Sequence, residues 1–333
     1  VSGVAVMGSG SWGTAFALTL CDAGNDVRLW ARRIEVCRAV NTEHRNPDYF
    51  PDLELPPTLT ATDDPQRAMA EADLVVLAVP SQTLRQNLTG WRLPETAVVL
   101  SLAKGIELGT GRRMSEVVAE VTGLPDERIA VLTGPNLSHE IAERQPAASV
   151  IASTAHETAA LVQKICHSPT FRPYTNTDVI GCELGGATKN VIALAVGMAV
   201  GLGFGDNATA SVITRGLAEI SRLGRALGAD PHTFSGLAGM GDLVATCSSP
   251  LSRNRSFGEE LGRGRSVAEI AGSTRQVAEG VKSCTAIRAL GSAHGVELPI
   301  VEAVVRVIEN GEPPGEMVAH LLARAARPER DET

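Results

Sequence analysis

The sequence predicts an α/β protein: a mostly parallel sheet in the N-terminal half, followed by an all-helical C-terminal domain. Two observations carry that class. Short β-branched apolar runs alternate with helix-period stretches through the first half of the chain, and such alternation folds as a parallel sheet with right-handed crossovers. Beyond about Asp178 convincing strand patterns stop and helical ones dominate. The 333 residues leave room for two domains at about 100–200 residues each. The boundary is expected near Asn176–Asp178, giving domains 1–177 and 178–333.

The expected strands, in order, are Val4–Met7, Val27–Trp30, Leu74–Val79, Val98–Leu102, Ile129–Leu132, Ser149–Ala152 and Phe171–Tyr174. Several are apolar without alternation, the pattern of strands covered on both faces. Helical patterns lie between them, as at Gly13–Ala23 and Gly111–Thr122. Asn41–Pro57, rich in Asn, Asp and Pro, reads as a long excursion from the sheet. The later helices are expected at Thr188–Val200, Ala208–Leu227, Val267–Ile270, Cys284–Ala293 and Val301–Glu309, with a frayed tail at Arg327–Thr333. The longest apolar run, Val191–Gly205, is shorter than the ~20 residues of a membrane span and is interrupted by glycines, so it reads as a buried helix and the loop after it.

Composition excludes some functions. A net charge of −8 does not suit a protein that holds nucleic acid on a broad basic surface. Aromatics at 3% argue against base-stacking platforms. The cysteines Cys21, Cys37, Cys166, Cys182, Cys247 and Cys284 are scattered, with no C-x-x-C pair and no zinc-ligand spacing. They read as reduced thiols, and no metal is expected. The N-terminus runs straight into a strand pattern without a basic, then apolar, leader. A soluble, cytoplasmic protein without integral membrane contact is the expectation.

Gly8-Ser9-Gly10-Ser11-Trp12-Gly13 directly follows the first strand and opens a helix. This is the G-x-G-x-x-G dinucleotide fingerprint in its proper setting, which makes the N-terminal sheet Rossmann-type. Gly8 permits the tight turn, Gly10 lets backbone approach a pyrophosphate, and Gly13 lets helix and strand pack closely. An NAD-specific site usually carries Asp or Glu about 20 residues later, to accept from the ribose 2′-hydroxyl. Here the second strand ends in Ala31-Arg32-Arg33, with no carboxylate at its tip. Two guanidiniums suit a 2′-phosphate, so NADPH is favoured and NADH tolerated.

The other strand tips carry Pro80-Ser81, Ala103-Lys104-Gly105 and Thr133-Gly134-Pro135-Asn136. Ligands in open α/β sheets lie beyond the carboxyl ends of the strands, so Lys104, Gly134 and Asn136 should share the crevice of the glycine loop. Lys189 is the only charged residue from Gly185 to Gly205. An ammonium buried there is costly unless paired or functional. In a desolvated cleft near other cations its pKa falls from ~10.4 toward neutrality, making it a usable proton donor. Gly239-Met240-Gly241-Asp242, followed by Thr246, is a glycine-flanked carboxylate; Ser252-Arg253-Asn254-Arg255 suits a small phosphate; Gln276–Gly280 puts Glu279 before a glycine. Each of these alone is more often a cap or a turn.

Taken together, the glycine loop, Ala103-Lys104-Gly105, Thr133-Gly134-Pro135, Gly185-Gly186-Ala187-Thr188-Lys189-Asn190, Ile213-Thr214-Arg215-Gly216, Gly239–Asp242 and Ser252-Arg253-Asn254-Arg255 stand in one order. In this the chain resembles NAD(P)-dependent sn-glycerol-3-phosphate dehydrogenases of bacterial type over nearly its whole length. The resemblance implies reversible reduction of dihydroxyacetone phosphate to sn-glycerol 3-phosphate for phospholipid biosynthesis, and a homodimer. It implies Lys189 as proton donor, positioned and tuned by Lys104 and Asp242. Substrate contacts would come from Lys104, Gly134, Asn136, Lys189, Asp242, Thr246, Ser252, Arg253 and Asn254. Cofactor contacts would come from Gly8, Gly10, Ser11, Trp12, Gly13, Arg32, Arg33, Pro80, Lys104, Ser138, Arg253, Val277 and Glu279. Asn136 stands where many members have Ser or Thr, Ser138 where Ala is common, and Trp12 where another aromatic is usual. Two alternatives stay open at this level: a two-domain dehydrogenase of β-hydroxyacids or 6-phosphogluconate, and a nucleotide sensor without turnover.

Overall fold

The computed structural model describes residues 1–273 and 278–323. Its strands are β1 (Gly3–Met7), β2 (Asp26–Trp30), β3 (Thr60–Thr62), β4 (Leu74–Leu77), β5 (Val98–Ser101), β6 (Ile129–Thr133), β7 (Ala147–Ala152) and β8 (Phe171–Asn176). The helices threaded among them are α1 (Ser11–Asp22), α2 (Ile34–Glu43), α3 (Pro65–Met69), α4 (Leu84–Gly90), α5 (Met114–Thr122), α6 (Ser138–Ala142) and α7 (His156–Cys166). Beyond β8 the elements of the described residues are helices: α8 (Val179–Gly201), α9 (Asp206–Ala226), α10 (Asp242–Ser248), α11 (Arg253–Gly262), α12 (Val267–Ser273), α13 (Glu279–Ala293), α14 (Pro299–Asn310) and α15 (Pro314–Leu322).

The strands form one sheet in the order β3-β2-β1-β4-β5-β6-β7-β8. Alternate residues of each strand point to opposite faces, and both faces are covered. Val4, Val6, Leu74 and Val76 pack with α1, α2 and α7 on one side. Ala5, Met7, Val75 and Leu77 pack with α3, α4 and α5 on the other. The expected strands are all present, and pairing is parallel from β3 through to β6.

Two details depart from the sequence reading. β3 is an additional strand, and β7 runs antiparallel to β6. The β6–β7 link contains only α6, five residues long. At ~1.5 Å per residue it spans far less than the ~16 Å of a five-residue strand, so it cannot carry the chain back for a parallel start. The full crossover through α7 then makes β8 parallel to β7.

α8 departs further. The helix expected from Thr188 begins nine residues earlier, so Gly185–Asn190 lies well inside it. α8 starts at Val179, and the Asp178 carboxylate caps it by accepting from the Gly181 N–H at 2.8 Å. Nearly every residue of α8 is buried, as expected of a helix apolar all round. It is long and apolar enough to cross a membrane, but 94% of its most apolar window is buried within the protein. Its C-terminal half touches α11 backbone to backbone: a Cβ on Gly197 would lie 2.0 Å from the Arg255 carbonyl oxygen, and one on Gly258 would lie 2.2 Å from that of Leu194. Only glycine allows that approach. All six cysteines are free thiols.

Candidate active site

The carboxyl ends of β1, β4, β5 and β6 gather at one edge, and the strand order reverses direction between β1 and β4. Such an edge is where open α/β sheets bind ligands. Lys104 follows β5, and Gly134 follows β6 with φ of 135°, which favours glycine. α8 reaches the same edge from the helical region. On its near face a Cβ at Gly186 would lie 2.9 Å from Thr133 Oγ1 and 3.4 Å from Lys104 Cγ. The absent side chain makes room for the Lys104 stem. Lys189 lies one turn further along.

Both ammoniums converge on Asp242, which opens α10 directly after a π-helical turn at Leu237–Gly241. Within that turn a Cβ on Gly239 would lie 2.2 Å from the Phe234 carbonyl oxygen, so the close approach of that backbone needs glycine there. Asp242 Oδ2 accepts from Lys104 Nζ at 2.6 Å and from Thr133 Oγ1 and the Gly134 N–H at 3.3 Å each. Its Oδ1 accepts from Lys189 Nζ and, at 3.3 Å, from Thr246 Oγ1. Lys189 Nζ also donates to Thr246 Oγ1 at 2.6 Å, and Lys104 Nζ to the Gly134 carbonyl at 3.1 Å.

Lys189 and Asp242 are buried and Lys104 is part-buried, so two cations stand against one anion largely out of water. Burial pulls the Lys189 pKa down to about 8, against the attraction of Asp242 and with the help of Lys104. Burial alone would raise the Asp242 pKa, but the two ammoniums outweigh it and hold the carboxyl below its ordinary range. A net positive, desolvated pocket stabilises an oxyanion formed within it, and its lysine can supply the proton.

A second buried contact fixes α8 against the sheet-bearing half. Glu183 accepts from Arg113 Nη1 at 2.7 Å, from the Ser115 N–H at 2.8 Å and from Ser115 Oγ at 2.5 Å. Sequence reasoning missed Glu183. Its signal was the one that marked Lys189, a charge bordering an apolar run.

The residues expected to hold phosphate lie nearby, in different states. Ser252 caps α11, its Oγ accepting from the Arg255 N–H at 3.3 Å. Asn254 is buried, and its Oδ1 accepts from the Gly280 N–H at 3.0 Å. Arg253 is exposed. Burial pushes the Glu279 carboxyl up, while Arg253, Lys104 and Lys189 pull it down. Glu279 therefore lies within electrostatic reach of Arg253 and of both lysines. Asn136 is taken up locally, its Nδ2 donating to Ser149 Oγ at 3.0 Å.

The glycine loop fits a dinucleotide. Gly8 has φ of 137°, and a Cβ on it would lie 2.5 Å from the Ala78 carbonyl oxygen; one on Gly13 would lie 2.0 Å from that of Gly8. A Cβ on Gly10 would meet nothing within 4 Å. No side chain caps the N-terminus of α1, which leaves the N–H donors of its first turn for a pyrophosphate to accept from. Ser11 Oγ and Ser138 Oγ are 2.7 Å apart, tying the first turn of α1 to that of α6. Trp12 stacks at a tilt on Phe16 with a centroid separation of 5.4 Å. Pro80 and Arg32 are exposed, at the tips of β4 and β2. Arg33 is ion-paired with Asp48. Val277 lies outside the described residues.

A family profile described as the NAD-dependent glycerol-3-phosphate dehydrogenase N-terminus matches residues 3–159, and its C-terminal counterpart matches residues 178–319. The chain is 64% identical to the glycerol-3-phosphate dehydrogenase [NAD(P)+] of Thermobifida fusca, over 98% of both chains. It is 59% identical to that of Streptomyces avermitilis, again over 98% of both. Its structure is similar to the crystal structure of glycerol-3-phosphate dehydrogenase from Coxiella burnetii, with a TM-score of 0.92 and 36% identity over 97% of this chain and 99% of that one. A ketopantoate reductase of Ralstonia eutropha, at 18% identity and a TM-score of 0.58, shares the fold alone.

Proposed function

The chain belongs to the NAD-dependent glycerol-3-phosphate dehydrogenase family, and from that premise we propose that Lys189 is its proton donor, held by Asp242 and flanked by Lys104. The enzyme reduces dihydroxyacetone phosphate reversibly to sn-glycerol 3-phosphate with NAD(P)H, a step of glycerophospholipid synthesis. When bound, the reduced nicotinamide supplies the hydride. The protein supplies the rest. The α1 N-terminus and Ser11 hold the pyrophosphate, with Trp12, Arg32, Arg33, Pro80, Ser138 and Glu279 around the remainder of the nucleotide. Arg253 and Asn254 hold the substrate phosphate, helped by the α11 N-terminus that Ser252 caps. Gly134 and Asn136 border the substrate from the β6 side. As negative charge grows on the carbonyl oxygen, Lys189 passes it a proton and Thr246 and Asp242 keep the ammonium aimed. Positioning both reactants in one closed site contributes up to ~7–11 kcal/mol in favourable cases.

One observation carries this reading: a buried lysine paired with Asp242, whose other oxygen meets Lys104 and the Gly134 N–H at the carboxyl ends of the strands. The exposed guanidinium of Arg253 offers the first test. Arg253→Ala is expected to raise KM for dihydroxyacetone phosphate at least about tenfold, the scale of a lost charge-assisted phosphate contact, and KM for NADPH much less. Steady-state absorbance assays measure both, and equal increases would place the phosphate elsewhere.

The same reading divides the chain at 177/178, supported by the end of β8 at Asn176 and the start of α8 at Val179. It also gives a homodimer formed through helical surfaces such as α9, and a cytoplasmic enzyme whose six thiols stay reduced. Its net charge of −8 suits neither nucleic acid nor an anionic membrane surface.

A further inference from the structure

The tip of β2 carries no carboxylate of its own, only Arg32 and Arg33. The fold brings one there from elsewhere. Asp48, on the loop between α2 and β3, is ion-paired with Arg33. The loop is pinned to the glycine turn by Asn46, which is fully buried. Asn46 Nδ2 donates to the Ser9 carbonyl at 2.9 Å and to Thr14 Oγ1 at 2.8 Å. Its Oδ1 accepts from the Asp48 N–H at 3.2 Å, and its carbonyl accepts from the Phe50 N–H at 2.9 Å. Asp48 is therefore held one tight turn from the loop that a dinucleotide must contact. Among the described residues Arg32 makes no ion pair, so only one of the two guanidiniums is already engaged.

We propose that Asp48 sets the balance between NADPH and NADH, by competing with a 2′-phosphate for Arg33 and by presenting a carboxylate to an unphosphorylated ribose. The inference rests on the dinucleotide-binding reading above and deepens it. A phosphate monoester carries about −1.5 to −2 charges at pH 7, so a neighbouring carboxylate repels it; a 2′-hydroxyl is neutral and can donate to that carboxylate. Asp48 thus penalises one nucleotide and not the other. With side chains 53% exposed at Arg33 and 27% at Asp48, solvent screens the effect to a moderate size.

The test is calorimetric titration of wild type and Asp48→Asn with NADP+, NAD+, 2′,5′-ADP and 5′-ADP. The variant is expected to bind NADP+ and 2′,5′-ADP about tenfold more tightly, and NAD+ and 5′-ADP no more tightly than wild type. The gain should shrink in 0.5 M salt, roughly as a Debye length of a few ångströms requires. Equal shifts for phosphorylated and unphosphorylated ligands, or no shift, would overturn the role of Asp48 alone. Wild-type protein that binds none of the four would overturn the dinucleotide reading itself.

Discussion

Lys189→Ala lowers kcat for dihydroxyacetone phosphate reduction by about 10³–10⁴-fold, while the dissociation constant for NADPH moves less than about threefold. Loss of general acid catalysis accounts for about 10²–10⁴ of such an effect, and the lost cation for the remainder. The fold should survive, for a reason specific to this cluster. Asp242 retains Lys104 at 2.6 Å as a counter-ion, so no unpaired buried carboxylate is created. Lys189→Arg is the companion variant. It keeps the charge, but a guanidinium does not release its proton near neutral pH. It should therefore remain slow while holding substrate better than the alanine variant. Retention of more than a tenth of wild-type kcat by Lys189→Ala would remove the lysine from the chemistry.

The second large effect comes from the other side of the pair. Asp242→Asn leaves the buried ammonium of Lys189 and the part-buried one of Lys104 without their shared anion. Breaking a buried pair by removing one partner costs about 3–5 kcal/mol, and urea unfolding at pH 7 should show a loss of that order. The sign of its pH dependence follows. Without Asp242 the folded-state pKa of Lys189 falls further below the unfolded value of ~10.4. Over that interval the unfolded chain binds more protons than the folded one, so the stability of the variant rises with pH. A deficit that grew from pH 7 to pH 9 would contradict the charge arrangement. The catalytic consequence is parallel: with the attraction of Asp242 removed, the alkaline limb of reduction moves below the wild-type value of about 8.

Much of this was legible because burial writes itself into sequence. β1 and β4 are unbroken apolar runs since helices cover both of their faces. β3 was not legible: Thr60–Thr62 is three residues long, with two threonines, and carries no pattern above that of a loop. The reversal at β7 was hidden because strand–helix alternation reports spacing, and α6 fails as a crossover only once its length is known. The start of α8 was misplaced because Gly185-Gly186 is poor helix material by propensity. Close approach of the Ala238 carbonyl and of Thr133 demands glycine there and overrides propensity.

The site divides in the same way. Lys189 stood out as a lone charge in an apolar stretch, and its partner Asp242 as a glycine-flanked carboxylate. Their convergence with Lys104 needed the fold, since the three lie on α8, on α10 and beyond β5. Ser252, expected to contact substrate, caps α11 by accepting from the Arg255 N–H, and its hydroxyl keeps a hydrogen to donate. Asp48 could not be found by looking for a carboxylate at the tip of β2. It arrives through an irregular loop whose only sequence signals are turn residues, and its seat depends on Asn46 reaching Ser9.

The most direct test of the central claim is the pH dependence of the hydride-transfer step in wild-type protein, followed by single-turnover NADPH absorbance with saturating dihydroxyacetone phosphate. Lys189 must be protonated to act as acid, so the rate should hold level at neutral pH and fall about tenfold per unit above an apparent pKa of about 8. A rate that stays flat from pH 7 to pH 10 would contradict proton donation by that buried ammonium.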